Sequence, residues 1–230
     1  MKIKEKCDLK TCFLCKNSLT GWLGLIENNK KNLSIRKGQT IFEEGEKVKG
    51  IYFLYEGKVK VHKKWGEEKE LILKFAQKGD MIGYRGLGSE KIYPISATAL
   101  EPVTVCFVEL AFFEDMLKVN HELTYRLMKF YANELQDAEK RIRDLAHMTV
   151  KGRLADTLLQ LKKQFSQNKE GVLNIHLTRQ DIASYTGTTY ETIFRTINEL
   201  SKEKIIKVTG KNITILNETR LKELMSDKGK

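Results

Sequence analysis

The chain has 230 residues, of which 41% are hydrophobic, and a net charge of +11 at pH 7. This length and composition fit a globular protein with two cores and do not favour a disordered chain. No run of 18 apolar residues occurs, and the N-terminal sequence MKIKEKCDLK lacks the apolar centre of a signal peptide. We therefore expect a cytoplasmic protein that has no membrane partner.

The positive charge is denser in the C-terminal part of the chain. Residues 148–230 contain 15 basic and 9 acidic side chains, whereas residues 1–147 contain 26 and 21. Such an excess is typical of a protein with a polyanionic partner, although it also occurs on ordinary solvated surfaces.

Short apolar runs alternate with glycine turns between about Leu33 and Val108. The clearest runs are IYFLYEG, KVKVHKKWG, ELILKFAQKGD and PVTVCFVEL. Evenly spaced short strands of this kind predict an antiparallel β-roll or sandwich. Both prolines, Pro94 and Pro102, fall where a loop or a strand start can accommodate them.

The sequence after about Ala111 contains neither glycine nor proline until Gly152, which predicts a long helix. Apolar residues recur along it with the heptad spacing of a coiled-coil seam, and we expect this helix to form a two-fold dimer. The alternative is an amphipathic helix that packs only on its own domain. The expected seam consists of Met128, Tyr131, Leu135, Ala138, Ile142 and Leu145.

The segment LTRQDIASYTGTTYETIFRTINEL predicts two short helices joined by a tight turn. Thr178 can cap the first helix together with Asp181, Gly187 can end it, and a threonine before Tyr190 can cap the second helix. The pieces IIKV and ITIL, joined by TGKN, predict a hairpin. Together these elements predict a winged helix-turn-helix, which is a DNA-binding fold.

The second helix carries the residues that we expect to read bases. A recognition helix presents its N-terminal residues to base edges in the major groove, here Tyr190, Glu191 and Arg195. Arginine can donate to O6 and N7 of guanine and a carboxylate can accept from N4 of cytosine, so the two charges would read one G·C pair or two adjacent ones. The alternatives are a capping box of Glu191 with Thr188, and a phosphate contact or a solvated charge for Arg195.

Residues near this helix are candidates for phosphate contacts. They are Arg179 at the start of the first helix, Thr189 before the second helix and Lys211 in the hairpin turn. Phe194 is either a core residue, as apolar residues at helical spacing usually are, or an aromatic that reaches a thymine methyl group in the groove.

Three of the four cysteines, Cys7, Cys12 and Cys15, lie within nine positions, and the fourth is Cys106. Clustered cysteines in a reducing compartment favour metal binding or thiol chemistry over structural disulfides. The C-x4-C-x2-C spacing with a distant fourth cysteine is that of plant-type [2Fe-2S] ferredoxins, and zinc would accept the same thiolates. The alternatives are a buried structural role for Cys106, oxidisable thiols near the N-terminus, and packing of Cys12 and Cys15 against Trp22.

The order of these parts resembles that of the Crp/Fnr superfamily of bacterial transcription regulators, over about residues 20–220. The most specific match is R-Q-D-I-A-x-x-x-G followed by E-T-I-x-R. The resemblance implies that Glu191 and Arg195 read bases, that a homodimer binds near-palindromic double-stranded DNA, and that RNA polymerase is a partner.

The resemblance also bears on the effector. Cyclic-nucleotide binders of this superfamily hold their ligand with a glutamate and an arginine, but Tyr84 and Ile95 stand at those positions here, so we do not expect cyclic AMP to bind. Tyr190 replaces a third base-reading arginine of the cyclic-AMP-responsive members. In the Fnr branch, three N-terminal cysteines and one in the β-roll hold an oxygen-sensitive [4Fe-4S] cluster, which implies an iron-sulfur cluster here, although the spacing of the first three cysteines differs.

The expected fold class is α+β, with an antiparallel β-roll, a long dimerisation helix and a winged helix-turn-helix. We expect a Cys-rich segment at 1–20, a sensor domain at 21–115, the dimerisation helix at 116–147 and a DNA-binding domain at 148–230. The alternative function is a redox or small-molecule-binding module without sequence-specific DNA binding. Zincin, P-loop and nucleophile-elbow motifs do not occur, and we expect no enzymatic activity.

Overall fold

The computed structural model describes residues 9–66 and 69–226. The chain divides into two compact units, of which the first ends at Glu134 and the second begins at Leu135. None of the described helices is both long enough and apolar enough to cross a membrane.

The first unit begins with helical segments that the sequence did not predict. They are α1 (Phe13–Asn17), a 3₁₀ turn (Thr20–Trp22) and α2 (Leu23–Asn29). Leu14 and Ile26 are buried in the hydrophobic core of this unit. The backbone N–H of Phe13 donates to the carbonyl oxygen of Gly79 at 3.1 Å. The N-terminal segment is therefore fixed to the body of the unit both by apolar contacts and by its backbone.

A β-roll of two antiparallel four-stranded sheets follows. The strand order is β1-β8-β3-β6 in one sheet and β2-β7-β4-β5 in the other. The four apolar runs that predicted strands form β3, β4, β5 and β8, which confirms the antiparallel roll. The strands are β1 (Lys30–Ile35), β2 (Thr40–Phe42), β3 (Gly50–Glu56), β4 (Val59–Trp65), β5 (Lys69–Ala76), β6 (Met81–Ile82), β7 (Ser96–Ala99) and β8 (Val103–Glu109).

Aromatic side chains occupy part of the space between the two sheets. The ring of Phe42 stacks on Tyr93 with centroids 4.3 Å apart and on Tyr52 at 5.6 Å. The Tyr93 hydroxyl donates to the Gly50 carbonyl oxygen at 2.7 Å, so its buried polar atom is satisfied.

Two helices, rather than one continuous helix, leave the roll. They are α3 (Leu110–Val119) and α4 (His121–His147). Asn120 separates them because its backbone departs from helical geometry, with φ −100° and ψ 82°. Its side-chain Oδ1 accepts from the N–H of Leu123 at 3.1 Å and starts the second helix. Met116 thus belongs to α3, and the expected dimerisation helix begins later than predicted.

The second unit has the predicted helix-turn-helix and hairpin. Its elements are α5 (Val150–Phe165), α6 (Arg179–Thr186), α7 (Tyr190–Lys202), β9 (Ile206–Thr209), β10 (Asn212–Ile215) and α8 (Glu218–Ser226). The hydroxyl of Thr149 caps α5 by accepting from the N–H of Gly152 at 3.0 Å. The last helix, α8, was not predicted. Asn217 starts it by accepting from the N–H of Arg220, and Leu221 is buried.

Candidate nucleic-acid interface

Local caps and one glycine determine how α6 and α7 are joined. The hydroxyl of Thr178 accepts from the N–H of Asp181 at 3.0 Å, and the Asp181 carboxylate accepts from the N–H of Thr178 at the same distance. Gly187 ends α6 with φ +74°, and a Cβ at this position would lie 2.5 Å from the Cδ2 atom of Leu145. The predicted capping box and glycine stop are therefore confirmed.

The second helix begins one residue later than a Thr188 capping box would require. Thr189 is the N-cap, and its hydroxyl accepts from the N–H of Thr192 at 3.3 Å. The capping box between Thr188 and Glu191 is therefore not formed. The carboxylate of Glu191 is left to face solvent in the first turn of α7.

The two sides of α7 differ sharply in burial. One side packs into the core of the second unit through three residues that are at most 1% exposed, Ile193, Ile197 and Leu200. The opposite side is exposed and presents Tyr190, Glu191, Phe194 and Arg195. The predicted base-reading residues thus share one solvent-facing side of the helix, at its N-terminal end, as a groove-reading helix requires.

Glu191 and Arg195 stand four residues apart on this side but do not form an ion pair. Within residues 9–66 and 69–226, neither side chain has a hydrogen-bond or ion-pair partner. Groups that are unpaired and exposed in the free protein can bond to base edges without first breaking an internal bond.

Arg153 on α5 forms hydrogen bonds to the turn between α6 and α7. The sequence did not predict this contact. Its guanidinium donates to the carbonyl oxygens of Met148 at 2.8 Å, Thr186 at 3.0 Å and Gly187 at 3.2 Å. Burial lowers the pKa of Arg153. One side chain therefore joins the start of α5 to the helix-turn-helix turn, a contact that no local sequence signal reveals.

The candidate phosphate contacts lie around α7 on three different elements. Arg179 is the first residue of α6, Thr189 caps α7, and Lys211 is exposed beside Gly210 in the turn between β9 and β10. The Gly210 backbone has φ +62°, which allows the tight hairpin turn. Their roles in phosphate binding stay predictions.

Comparison with known proteins identifies the family. Residues 32–120 match the cyclic nucleotide-binding domain and residues 152–224 match the Crp-like helix-turn-helix domain. Over 192 residues the chain is 32% identical to the fumarate and nitrate reduction regulatory protein of Vibrio cholerae, covering 83% of this chain and 76% of that relative. The chain belongs to the Crp/Fnr family.

Other members agree with this assignment. The chain is 33% identical over 181 residues to the cAMP-activated global transcriptional regulator CRP of Salmonella typhimurium, covering 76% of this chain and 85% of that protein. The structure of FixK2 from Bradyrhizobium japonicum matches with a TM-score of 0.76 at 26% identity, covering 87% and 99% of the two chains. This Crp/Fnr protein is a DNA-binding transcriptional regulator, and a module without sequence-specific DNA binding is not favoured.

The expected dimer seam of this Crp/Fnr regulator is only partly exposed. Met128, Leu135 and Ile142 are 60%, 61% and 67% exposed, and Ala138 also faces solvent. Tyr131 is half-buried, and its hydroxyl donates to the carbonyl oxygen of residue 84 at 2.6 Å within its own unit. Leu145 is half-buried beside Gly187. The involvement of all six residues in a dimer stays a prediction.

Charged side chains of the Crp/Fnr β-roll converge on one carboxylate of α4. Glu134 accepts from Lys74 at 2.6 Å, from Arg85 at 3.1 Å and from the hydroxyl of Tyr84. Burial raises the pKa of Glu134, but the charge of Lys74 and these hydrogen bonds outweigh it and lower the pKa overall. Glu134 is therefore held as a carboxylate. Tyr84, at the position where cyclic-nucleotide binders have a glutamate, forms part of this internal cluster.

Three of the four predicted metal ligands surround one pocket in the first unit of this Crp/Fnr protein. Cys12, Cys15 and Cys106 line it together with Lys30 and Lys78. Cys15 and Cys106 are buried, and Cys12 is half-buried. Across the described part of the chain, no three His, Cys, Asp or Glu side chains are arranged to hold a single metal ion. The fourth predicted ligand, Cys7, lies outside the described residues.

Proposed function

We propose that two copies of this regulator bind a near-palindromic operator and that each copy reads a G·C pair with Glu191 and Arg195. The observation that carries this proposal is the pair of opposite charges on the exposed side of α7, neither of which has a partner in the part of the chain that the structure describes. Arginine supplies two donors to guanine and glutamate supplies an acceptor to cytosine, which together match a G·C pair.

The exposed apolar side of α4 supports binding as a homodimer. Met128, Leu135 and Ile142 recur every seven residues and are each at least 60% exposed, so a second copy of the helix would bury them. Two-fold symmetry in the protein would then be matched by two inverted half-sites in the DNA. The family resemblance supports RNA polymerase as a further partner.

Selection from a random 30-base-pair duplex pool tests the operator proposal. We expect full-length protein to enrich an inverted repeat and to bind it about 10³-fold more tightly than random duplex. Arg195→Ala should lose about tenfold or more at the original site and accept other bases at one position of each half-site. Arg220→Ala, on α8, is the matched control and should keep the preference. An unchanged site preference in Arg195→Ala would refute this reading of the helix.

The dimer proposal is tested by placing a charge on the expected seam. Ile142→Glu should convert a dimer to a monomer in sedimentation experiments, because two carboxylates would be buried opposite each other. Asn133→Glu, at an outward-facing heptad position of α4, should leave the dimer intact. Monomeric wild-type protein, or equal behaviour of the two variants, would contradict the proposed seam.

An iron-sulfur cluster on Cys7, Cys12, Cys15 and Cys106 is the second candidate function of the sensor unit. The shared pocket of three thiols supports it, and thiolates around a multi-iron cluster stand farther apart than those around one ion. Such a cluster would make the pocket sensitive to oxygen. Within this chain, the cysteines would bind the irons and the ammonium groups of Lys30 and Lys78 would offset negative charge.

A metal assay separates the candidate uses of these cysteines. Anaerobically purified protein with a cluster should contain iron and acid-labile sulfide and show charge-transfer absorption that air removes. Cys106→Ser should then lose most of the iron, because a thiolate-only cluster requires four sulfurs. Zinc without sulfide would indicate a zinc site instead, and metal-free protein would leave packing or thiol oxidation as the role of the cysteines.

We further propose that cyclic AMP is not the effector. Ile95 is buried and apolar where a phosphate-binding arginine is expected, and the hydroxyl of Ser96 already accepts from the N–H of Glu44 at 3.0 Å. The phosphate of a cyclic nucleotide would therefore find no cation at this position. Calorimetric titration with cyclic AMP should give no binding heat, and micromolar binding would refute the proposal.

A further inference from the structure

Two aromatic rings lie on the solvent-facing side of the recognition helix. Tyr190 and Phe194 are 45% and 42% exposed, and their rings stack with centroids 6.3 Å apart and planes 14° from parallel. The core side of α7 is already occupied by buried aliphatic residues. The aromatic pair is therefore not part of the core of the unit, and its exposure requires another explanation.

A guanidinium group is fixed beside this pair. The Cζ atom of Arg179 lies 5.5 Å from the ring centroid of Phe194, within the range of a cation–π contact. The Nε atom of Arg179 is buried and has no hydrogen-bond partner among the described residues. The ring of Phe194 and the guanidinium of Arg179 therefore contact each other beside the N-terminal half of α7.

We propose that Phe194 is a specificity-determining residue that contacts the 5-methyl group of a thymine next to the G·C pair read by Arg195. This inference rests on the proposed DNA-binding role of α7. Phe194 is adjacent to Arg195 and lies one turn after Tyr190, and all three side chains are exposed on the part of α7 that is turned away from the core. The thymine methyl is the apolar group that the major groove offers to an aromatic ring.

Arg179 has a separate part in this arrangement. The ring of Phe194 directs its guanidinium, which binds a phosphate and carries no sequence preference of its own. The two residues therefore make different predictions, because the methyl contact depends on the base and the phosphate contact depends on salt.

Replacement of thymine by deoxyuridine tests the methyl contact, since only the 5-methyl group is removed. The probe is the inverted-repeat duplex enriched from the random pool, with each thymine of both half-sites replaced in turn by deoxyuridine. Wild-type full-length protein should lose about fourfold in affinity for one half-site and about sixteenfold when both are replaced, as expected for one buried methyl group per half-site. Phe194→Ala should bind the thymine and deoxyuridine duplexes equally.

Two further variants separate the residues of this face. Arg179→Ala should weaken binding to both duplexes by the same factor, and the salt slope should fall by about 0.9 for each phosphate that the variant no longer neutralises. Arg195→Ala should keep the sensitivity to deoxyuridine while losing discrimination at the G·C pair. Unchanged hydrogen exchange of α7 amides in Phe194→Ala would verify that the helix remains folded.

Each negative result has a distinct meaning. If no enriched duplex binds more tightly than random DNA, the proposed function fails together with this inference. If Arg195 governs a G·C preference but every deoxyuridine duplex binds as well as its parent, the thymine contact is refuted and the proposed function stands. If Phe194→Ala keeps the full sensitivity to deoxyuridine, another residue contacts the methyl group and the assignment to Phe194 is wrong.

Discussion

Replacing Arg153 by methionine should loosen the turn that orients the recognition helix. The guanidinium donates to the carbonyl oxygens of Met148, Thr186 and Gly187 at 2.8 to 3.2 Å. Methionine can fill much of the same volume but donates no hydrogen bond. The variant therefore removes the polar connection while keeping most of the apolar packing of the side-chain stem.

The magnitude follows from the number of bonds and from their exposure. A hydrogen bond from a charged donor contributes about 1.5 to 3 kcal/mol net, so the three bonds of 2.8 to 3.2 Å set an upper limit of about 9 kcal/mol. A fourth bond, to the Leu145 carbonyl oxygen at 3.5 Å, is too long to add much. The loss will be smaller, because water can reach some of the released carbonyls and because burying the guanidinium, which lowers its pKa, is itself unfavourable. We expect the variant to destabilise the helix-turn-helix by about 3 kcal/mol.

Hydrogen exchange in the full-length protein measures this effect locally. Amides of α6 and α7 that open together should exchange about 100-fold faster in Arg153→Met than in the wild type, since 1.4 kcal/mol corresponds to a factor of ten. Affinity for the selected operator should fall as well. Amides of the β-roll, in the other unit, should be unaffected.

Arg143 provides the matched control. Its guanidinium bonds to the adjacent Asp144 and is 63% exposed, so Arg143→Met should change stability by less than about 0.5 kcal/mol. Arg153→Lys should behave like Arg153→Met, because one ammonium group cannot reach the three carbonyls in the same geometry. Equal exchange rates in Arg153→Met and the wild type would refute the structural role of this residue.

Two further predictions concern the first unit. The His62 ring, whose Nδ1 lies 2.9 Å from the Glu70 carboxylate, and the Lys60 ammonium lower the pKa of Glu70 to about 2. The contribution of Glu70 to stability is therefore present above about pH 4.5 and is lost as the pH falls through about 2. Urea unfolding followed by circular dichroism should show Glu70→Gln about 2 kcal/mol less stable than wild type at pH 6, with no difference near pH 2. Gly79→Ala would place a Cβ 2.7 Å from the Thr11 carbonyl oxygen, at a backbone φ of +93° that disfavours alanine. The variant should therefore displace the segment next to Cys12 and make the buried thiols react faster with a thiol reagent. Gly38→Ala, with a similar φ but no such contact, should leave the reaction rate unchanged.

The helix-turn-helix could be predicted because its signals are local. Thr178 caps a helix whose partner Asp181 lies three residues away, and Gly187 adopts the left-handed conformation that ends it. The same reasoning left the N-cap of the recognition helix uncertain between Thr188 and Thr189, since adjacent threonines offer the same hydroxyl. Only the backbone geometry distinguishes them.

Features that depend on distant contacts could not be predicted. Arg153 bonds to carbonyls of Thr186 and Gly187, more than 30 residues later, and backbone carbonyls carry no sequence signature. The break at Asn120 was missed because neither glycine nor proline marks it. Tyr131 fits the heptad spacing of a dimer seam, yet its hydroxyl donates to a carbonyl oxygen of its own unit. The heptad pattern does not distinguish the side of α4 that packs on the β-roll from the side that is exposed.

The carboxylate of Glu134 forms ion pairs with two cations of the β-roll, Lys74 and Arg85. Any small anion that approaches Lys74 and Arg85 must compete with a group that is covalently attached and therefore present at a high effective concentration. The apparent affinity for such an anion equals its intrinsic affinity multiplied by the fraction of time during which Glu134 is displaced from these cations. A free anion in solution therefore competes poorly for Lys74 and Arg85, because α4 supplies the carboxylate that already pairs with them.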